Sequence, residues 1–277
     1  MESKDLTIVI VTFKSDEKVI NCLNSISDEI PIIIVENSNN KIFKSKIESS
    51  YHNVECILSG QNNGYSIANN IGLKRVKTKY ALVLNPDTIL SKDAIKNFLI
   101  TARENKEFWL IGPANDQIGS SNFKDNLAEV KNLKGFAIFF NMSKFSNKFF
   151  DENFFLYFEE TDYCLRSNKN GFKIYQINTQ KVEHDIGTSV ETENVKEAIE
   201  IKKLLTWHFI WSKFYYSKKH KGLIISLFIF IPLILRTIFK IILYFLIRNK
   251  DKKSHFVERY KGLMASIKGE KSYKRVN

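Results

Sequence analysis

Residues 6–13 read LTIVIVTF, and this stretch decides the fold. Aliphatic and β-branched residues follow one another without alternating polar residues, which predicts a strand buried on both faces of a parallel sheet. The stretches PIIIV (31–35) and YALVL (80–84) repeat the pattern. Between these runs, helices are predicted at 16–26, 41–50 and 67–76, and a short strand is predicted at 54–58. Strands that alternate with helices at such spacings predict an α/β domain with a mixed, mainly parallel sheet.

Polar residues follow each of the three buried strands. They are Thr12-Phe13, Glu36-Asn37-Ser38 and Asn85-Pro86-Asp87. In open α/β sheets, ligands bind beyond the carboxyl ends of the strands, so these residues are expected to line a site. Asn85 and Asp87 are two positions apart, so their side chains leave the same face of an extended segment. Amide and carboxylate oxygens suit Mg²⁺ or Mn²⁺ that shares the phosphates of a substrate, although Asn-Pro-Asp is also ordinary turn chemistry.

The stretch FFLYFEETDYCLR (154–166) joins an aromatic run to three carboxylates. Its first five residues are expected to form a strand or an apolar wall, and a helix is predicted to follow. Carboxylates are favoured near a helix N-terminus by the helix dipole, which accounts for Glu160 and Asp162. Glu159 is attached directly to the aromatic run, where apolar surroundings raise the pKa of a carboxyl group. It is therefore a candidate general base.

A last strand-like run, Lys173–Ile177, precedes VEHDIGTS (182–189). His184 is expected to end another strand at the same edge of the sheet as Asp87. A single histidine is more often structural than a ligand, and both interpretations stay open at this point.

The bulk composition describes a globular chain with an unusual distribution of charge. The net charge is +12, but residues 1–201 carry 24 basic and 27 acidic residues, whereas residues 202–277 carry 18 and 3. Basicity confined to the last quarter favours an anionic membrane surface over nucleic acid. Three separated cysteines without a CxxC motif indicate a reducing compartment, and no signal peptide is predicted.

The basic C-terminal quarter also contains an apolar stretch, from Gly222 to Ile247, that Pro232, Arg236 and Lys240 interrupt. Its apolar run Leu223–Leu235 has 13 residues, fewer than the roughly 20 that a spanning helix needs. The pattern favours a monotopic arrangement with apolar faces in the interface and lysines on anionic head groups. The alternatives are a re-entrant hairpin bent at Pro232, a spanning helix, and a soluble buried helix pair.

Six motifs in order give the chain a resemblance to a known family. It resembles family 2 glycosyltransferases of the GT-A fold, most closely the bacterial rhamnosyltransferase-like branch, over residues 5–215. The matching motifs are TIVIVTF (7–13), IIIVENSN (32–39), QNNGYSIANNIGL (61–73), ALVLNPDTIL (81–90), FDENFFLYFEETDYCLR (150–166) and HDIGTS (184–189).

The resemblance assigns a role to each candidate residue. Glu159 is implied as the catalytic base, with its neighbour Glu160 as the alternative, and Asp162 as an acceptor-binding residue. Asp87 and His184 are implied as the ligands of Mg²⁺ or Mn²⁺. The donor-binding residues implied are Thr12, Phe13, Glu36, Asn62, Gly64, Asn70 and Asn85. Glu36 and Asn85 each stand where the family often has Asp.

The resemblance also implies a reaction and a place for it. An inverting enzyme would move a sugar, with rhamnose from dTDP-rhamnose favoured, from a nucleoside-diphosphate donor to a polyprenyl-diphosphate-linked glycan. This would serve bacterial surface polysaccharide synthesis of the O-antigen or capsule type at the cytoplasmic face of the inner membrane, where the protein would be peripheral or monotopic. The expected domains are a catalytic domain at 1–205 and a membrane-associating helical region at 206–277.

Two other functions compete with this one. The first is a catalytically silent, membrane-associated protein that binds a nucleotide sugar or a glycan. The second is a nucleotidyltransferase, which would be expected to carry a glycine-rich phosphate loop after the first strand. The sequence VTFKSDEK (11–18) contains no glycine.

Overall fold

The computed structural model describes residues 3–114, 126–144, 149–178, 182–184, 190, 192 and 194–275. The chain forms two compact units, an α/β unit of Met1–Asp151 and Glu160–Glu191 and a helical unit of Glu152–Glu159 and Thr192–Asn277. The boundary predicted between residues 205 and 206 stays a prediction. Both residues lie within one continuous helix, Val195–Lys221, and the two compact units divide before this helix.

The described residues of the α/β unit form ten strands. They are β1 (Leu6–Thr12), β2 (Ile32–Glu36), β3 (Val54–Leu58), β4 (Tyr80–Leu84), β5 (Thr88–Leu90), β6 (Phe108–Pro113), β7 (Leu127–Glu129), β8 (Ala137–Asn141), β9 (Lys173–Ile177) and β10 (Val182–His184). Eight of them make one sheet in the order β3-β2-β1-β4-β8-β6-β9-β7, and β5 and β10 make a second, two-stranded sheet. The pairs β1–β2, β1–β4, β2–β3 and β6–β9 are parallel, and β8 is antiparallel to both β4 and β6.

Helices cover both faces of the large sheet, which is why every residue of β1 is buried. Ile8 and Ile10 belong to the core on one face, and Val9 belongs to the core on the other. The helices of this unit are α1 (Asp16–Asn24), α2 (Lys41–Ser50), α3 (Gly64–Leu73), α4 (Ala94–Glu104) and α5 (Glu159–Lys169), the last starting in the final residue of the 152–159 segment. A Cβ at Gly72 of α3 would lie 2.4 Å from Val9 Cγ1, so only glycine permits this close approach of helix to strand.

The helical unit contains α6 (Val195–Lys221), α7 (Leu223–Leu246) and α8 (Lys250–Lys268). A Cβ at Gly262 of α8 would lie 2.5 Å from the carbonyl oxygen of Trp207, so α8 approaches the backbone of α6 closely. Pro232 lies inside the single helix α7, so the hairpin bend considered at this residue is absent from the described backbone. The helix accommodates Pro232 with the loss of one backbone hydrogen bond, because proline has no N–H group.

The aromatic run 154–158 is not a strand, as the sequence left possible, but an irregular segment packed on α6. Phe155 stacks on His208 with ring centroids 4.3 Å apart, and Phe154 meets Tyr215 edge-on at 4.9 Å. The hydroxyl of Ser212 donates to the carbonyl oxygen of Leu156 at 2.8 Å. Ring burial and one side-chain hydrogen bond thus replace the hydrogen bonds of a sheet.

Helix α7 exposes most of its apolar side chains. Its most apolar 18-residue window has a mean hydropathy of 2.2 and is 17% buried. Among the residues that the structure describes, it is the one helix long and apolar enough to cross a membrane by length and composition. A largely exposed apolar helix is consistent with membrane association.

Candidate active site

The carboxyl ends of β1 and β2 lie side by side. Thr12 is the register partner of Glu36, and the amide of Asn37 donates to the carbonyl oxygen of Thr12 at 2.8 Å. Thr12 is buried, and its Oγ1 has no hydrogen-bond partner within the described chain. A buried hydroxyl without a partner is costly, and a ligand group would satisfy it. Phe13 follows directly, with a half-buried ring.

The carboxylate of Glu36 is occupied by its own loop. One oxygen accepts from the amide of Ser38 at 2.7 Å and from the Ser38 hydroxyl, and the other accepts from the amide of Asn40 at 2.6 Å. Glu36 is buried, so these bonds satisfy a charge that water does not reach. In this structure Glu36 therefore orders the loop after β2, and its predicted contact with a donor stays a prediction.

The loop before α3 is ordered by its own asparagines. Asn62 accepts from the amide of Gly64 at 3.1 Å, and the side chain of Asn37 donates to the carbonyl oxygen of Gly64 at 3.0 Å. Gly64 has φ of +74°, a conformation that glycine adopts without strain. Asn37, which the sequence analysis placed at this edge without a specific role, thus links the end of β2 to the start of α3.

Asn70 of α3 binds the backbone of a distant loop. Its side chain donates to the carbonyl oxygen of Phe150 at 2.9 Å and accepts from the Phe150 amide at 3.0 Å. Both functional groups of this buried amide are therefore engaged within the protein. These bonds anchor the loop that precedes the candidate base, and the predicted donor-binding role of Asn70 stays a prediction.

Asn85 and Asp87 follow β4 at the same edge of the sheet as Thr12. The amide of Asn85 donates to the carbonyl oxygen of Phe136 at 2.9 Å, which fixes the backbone at the turn. Asp87 is buried, and its negative charge interacts electrostatically with the thiol of Cys22 in α1. Burial, with the negative charge of Asp87 added, raises the pKa of the Cys22 thiol to about 12.

The backbone of His184 lies next to Asp87. In the two-stranded sheet, β10 is antiparallel to β5, and His184 is the register partner of Thr88, the residue after Asp87. The side chain of His184 and residues 185–189 lie outside what the structure describes. Two stretches of chain almost 100 positions apart therefore meet here, as the sequence analysis expected.

A divalent cation fits the chemistry of this edge. A carboxylate and an imidazole are both ordinary ligands of such ions, and Mg²⁺ uses one or two protein groups when substrate phosphates complete its coordination. Among the described residues, no group of three or more His, Cys, Asp and Glu side chains is placed to hold an ion.

The adjacent carboxylates Glu159 and Glu160 lie in different surroundings. Glu160 belongs to the α/β unit, where its side chain lies close to Gly135. A Cβ at Gly135 would be 3.7 Å from Cγ of Glu160 and 3.8 Å from the hydroxyl of Tyr65. Burial raises the pKa of the Glu160 carboxyl, and the positive charge of Lys134 partly opposes this. Sequence reasoning assigned no role to Tyr65, although it lies within the motif at 61–73, or to Lys134, which lies outside all six motifs.

Glu159 is 5% exposed and is the last residue of the segment that packs in the helical unit. Just before it, Tyr157 and Phe158 have φ of +71° and +69°, a left-handed conformation that is rare for aromatic residues. Burial raises the pKa of Tyr157 to about 12, and the charge of Glu159 adds to this effect. Two consecutive residues in such a conformation indicate that the surrounding contacts fix the direction in which the chain enters α5.

Asp162 is fully buried and accepts from Nε of Arg166 at 2.8 Å. Arg166 also donates to the carbonyl oxygen of Phe149 at 2.8 Å. Asp162 therefore orients an arginine that binds the same loop as Asn70. An acceptor-binding role for Asp162 stays a prediction.

The chain belongs to glycosyl transferase family 2, whose profile matches residues 7–166. The low-salt glycan biosynthesis hexosyltransferase Agl10 of Haloferax volcanii is 27% identical to it over 209 residues, which are 65% of this chain and 67% of that relative. The predicted family is therefore confirmed, and the protein is a glycosyltransferase.

Solved structures show the same fold at low sequence identity. The 1–349 fragment of S. aureus TarS matches with a TM-score of 0.55 and 13% identity, over 98% of this chain and 93% of that one. GalNAc-T7, solved with UDP, GalNAc and Mn²⁺, matches with a TM-score of 0.54 and 11% identity, over 76% of this chain and 49% of that one. Against the longer TarS structure, the match covers 39% of that chain. The predicted GT-A fold is thereby confirmed.

Proposed function

We propose that the protein is an inverting, metal-dependent glycosyltransferase that moves a hexose or deoxyhexose from a nucleoside-diphosphate donor to a hydroxyl of a lipid-linked glycan. The observation that carries this proposal is the pairing of His184 with Thr88, which brings His184 beside Asp87 at the edge where β1 and β2 also end. The related Agl10 is named a hexosyltransferase of glycan biosynthesis, and TarS has been solved with UDP-GlcNAc.

The donor would lie along this edge. Thr12, Phe13 and the loop that Glu36 orders would surround the nucleobase. Gly64 and Asn62 would border the ribose and phosphates. Asn85 would complete the donor side. The buried Thr12 Oγ1, which lacks a partner among the described groups, supports a ligand at this point.

Asp87 and His184 would hold Mg²⁺ or Mn²⁺, which stabilises negative charge on the departing diphosphate when it is bound. Glu159 would accept the proton that the acceptor hydroxyl loses as it attacks, with Glu160 as the alternative base. Asp162 would support the acceptor side through Arg166. In-line attack by this hydroxyl inverts the anomeric centre.

A membrane location follows from the exposed apolar helix α7 and from the basic residues around it. Confining the enzyme to the surface that holds a lipid-linked acceptor raises the local concentration of both. The cytoplasmic face of a bacterial inner membrane fits the three unpaired cysteines, all of which are buried thiols. A peripheral or monotopic arrangement suits the Arg236 and Lys240 charges within α7.

The test is transfer by the full chain in detergent with Mn²⁺, using dTDP-rhamnose, which the resemblance favours, and UDP-hexoses as donors. Asp87→Ala should abolish transfer, and either Glu159→Gln or Glu160→Gln should reduce it at least about a hundredfold. If Glu160 is the base, its raised pKa places the acid limb of the pH–rate profile above the ordinary glutamate range. Lys92→Gln, on an exposed loop, is the control.

Donor binding without transfer or hydrolysis under all these conditions would reject the proposal. It would instead favour a catalytically silent nucleotide-sugar-binding protein. Equal activity of wild type and Asp87→Ala would reject the metal site alone.

A further inference from the structure

The helical unit contains a cavity of about 230 Å³ between side chains of α6, α8 and the 152–159 segment. Its polar lining is cationic or hydrogen-bond donating, and among the described residues no carboxylate contributes to it. The residues that matter are Tyr157, Lys202, Thr206, Phe209, His255 and Arg259. Basic groups gathered against aromatic walls favour an anion that is attached to an apolar group.

The cations of this cavity lack counter-charges in the described part of the chain. Nε of Arg259 is buried without a hydrogen-bond partner. Burial, together with the nearby Arg236 of α7, lowers the pKa of Arg259. No ion pair is formed by Arg259, Arg236 or Lys202 within the ranges that the structure describes. Two neighbouring guanidinium groups without an anion are unfavourable, and a bound anion would relieve this cost.

The acidic residue nearest in sequence is already engaged elsewhere. Glu258 accepts from Lys261 at 3.0 Å and also from Lys274. Its carboxylate therefore has two partners outside the cavity lining, and the charge of Arg259 is left for a ligand.

His255 and Thr206 add a titratable reporter. The Thr206 hydroxyl donates to the carbonyl oxygen of Lys202 at 2.8 Å, so it acts as the acceptor toward Nδ1 of His255 at 3.3 Å. Burial and the charges of Arg259 and Lys202 lower the pKa of His255. An anion between these cations would reverse part of that effect and raise the pKa of His255.

Tyr157 connects the cavity to the candidate base. Its ring meets Phe209 edge-on at 5.4 Å, and its phenol is protonated at neutral pH, as tyrosine ordinarily is, with burial raising its pKa further. The phenol is therefore a hydrogen-bond donor in the cavity, two residues before Glu159. Occupancy of the cavity would act directly on the segment that carries this carboxylate.

We propose that this cavity binds the phosphate head group of the lipid carrier on which the acceptor sugar is borne. Phosphate is the chemistry that an arginine fork, a lysine and a phenol recognise together. A lipid source is indicated because Arg236, whose charge acts on Arg259, belongs to the exposed apolar helix α7. The choice of ligand rests on the proposed function, but the site itself does not.

The test measures binding of farnesyl phosphate to the full-length protein in detergent by calorimetry, with excess UDP present to occupy the donor site. Lys202→Gln combined with Arg259→Gln should raise the Kd at least about tenfold, because two charge-assisted hydrogen bonds are lost. The matched control is Lys213→Gln with Lys268→Gln, which removes the same charge from the same two helices outside the cavity and should change the Kd less than about twofold. Farnesol, which lacks the phosphate, should not bind.

A second readout protects the test from a folding defect. Histidine NMR of the otherwise wild-type protein should show the pKa of His255 rising when farnesyl phosphate is added. Tyr157→Phe, which keeps the ring, should weaken binding without unfolding the protein. Equal loss of binding in the cavity and control variants, or an unchanged pKa of His255, would overturn the proposal.

Two further outcomes would assign the cavity to another source. Inorganic phosphate binding as tightly as farnesyl phosphate, with the same variant pattern, would show a site for free phosphate. In the other outcome, the cavity variants bind farnesyl phosphate as the wild type does but no longer co-sediment with phosphatidylglycerol vesicles. That result would show that these residues contact the head groups of the surrounding membrane. Since none of these measurements involves sugar transfer, failure of transfer alone would reject the proposed function and leave the cavity result standing.

Discussion

Acid should destabilise the helical unit through His208. This side chain is fully buried, and its two nitrogens lie 2.8 Å from the hydroxyl of Ser272 and 2.8 Å from the carbonyl oxygen of Lys274. Because a carbonyl only accepts, Nε2 carries the proton and Nδ1 accepts from Ser272. Burial lowers the pKa of His208 to about 3, with the charges of Arg275 and Lys274 adding to the effect.

The sign and size follow from the two pKa values. Between the unfolded value of about 6.5 and the folded value, the unfolded chain binds more protons, so stability falls as the pH falls. The full contribution is present above about pH 6.5, and each unit below it removes about 1.4 kcal/mol until the folded pKa is reached. Moving from about pH 7 to about pH 4.5 should therefore remove about 3 kcal/mol from the free energy of unfolding.

The assay is urea unfolding in detergent at both pH values, followed by tryptophan fluorescence. The chain has three tryptophans, so a Trp109→Phe background leaves Trp207 and Trp211, both in α6 of the helical unit. His208→Gln replaces the titrating ring with an amide that can still donate to Lys274. The loss between the two pH values should be about 3 kcal/mol smaller in His208→Gln than in the background protein.

The comparison between the two proteins removes the contributions of all other titrating groups. A difference below about 0.5 kcal/mol would refute the reasoning, because it would mean that His208 titrates alike in the folded and unfolded chains. A larger loss in His208→Gln would refute it as well.

Three other perturbations have expected outcomes. Gly262→Ala should lower the free energy of unfolding of the helical unit by about 2 kcal/mol, because the new methyl group meets backbone that has no room to move. Asn70→Ala should cost the α/β unit about 3 kcal/mol and raise the KM for the acceptor, because the backbone of Phe150 loses both partners. Phe228→Ser, at a side chain that is 70% exposed, should leave stability in detergent unchanged but weaken vesicle binding about tenfold.

Each of these perturbations has a control. Lys268→Ala changes an exposed residue of the same helix as Gly262 and should be nearly neutral, and equal effects of the two substitutions would contradict the packing argument. Asn168→Ala is the control for Asn70→Ala, because it removes one exposed hydrogen bond where Asn70→Ala removes two buried ones. Ile42→Ser removes an exposed apolar side chain from the α/β unit, so vesicle binding that falls equally there would contradict a role for α7.

The pattern of apolar residues was sufficient to predict an element where the segment itself carries that pattern. The run at Tyr80–Leu84 and the strand at Lys173–Ile177 fall within the predicted bounds. The predicted helix at 67–76 instead begins at Gly64, because Asn62 and Asn37 hold the backbone at that residue. Side-chain bonds of this kind leave no periodic signal.

The aromatic run 154–158 shows the opposite case. Its composition is that of a strand, but a strand requires a neighbour with free backbone groups, and this segment instead finds the side chains of α6. Phe158 and Tyr157 adopt left-handed conformations that no propensity predicts. Tertiary contacts overrode the local preference here.

By itself, the sequence determined the family, the alternation of strands and helices, and the types of residue at the ends of β1, β2 and β4. Only the tertiary structure decided which groups the side chains in and around the site bind: Asn37 donates to the carbonyl oxygen of Gly64, and Asn70 binds the backbone of Phe150. The physical reason is that strand pattern is a local property of the chain, whereas these hydrogen-bond partners lie 27 and 80 positions away. The cavity beside Tyr157 belongs to the second kind, since it exists only where α6 and α8 meet the segment before Glu159.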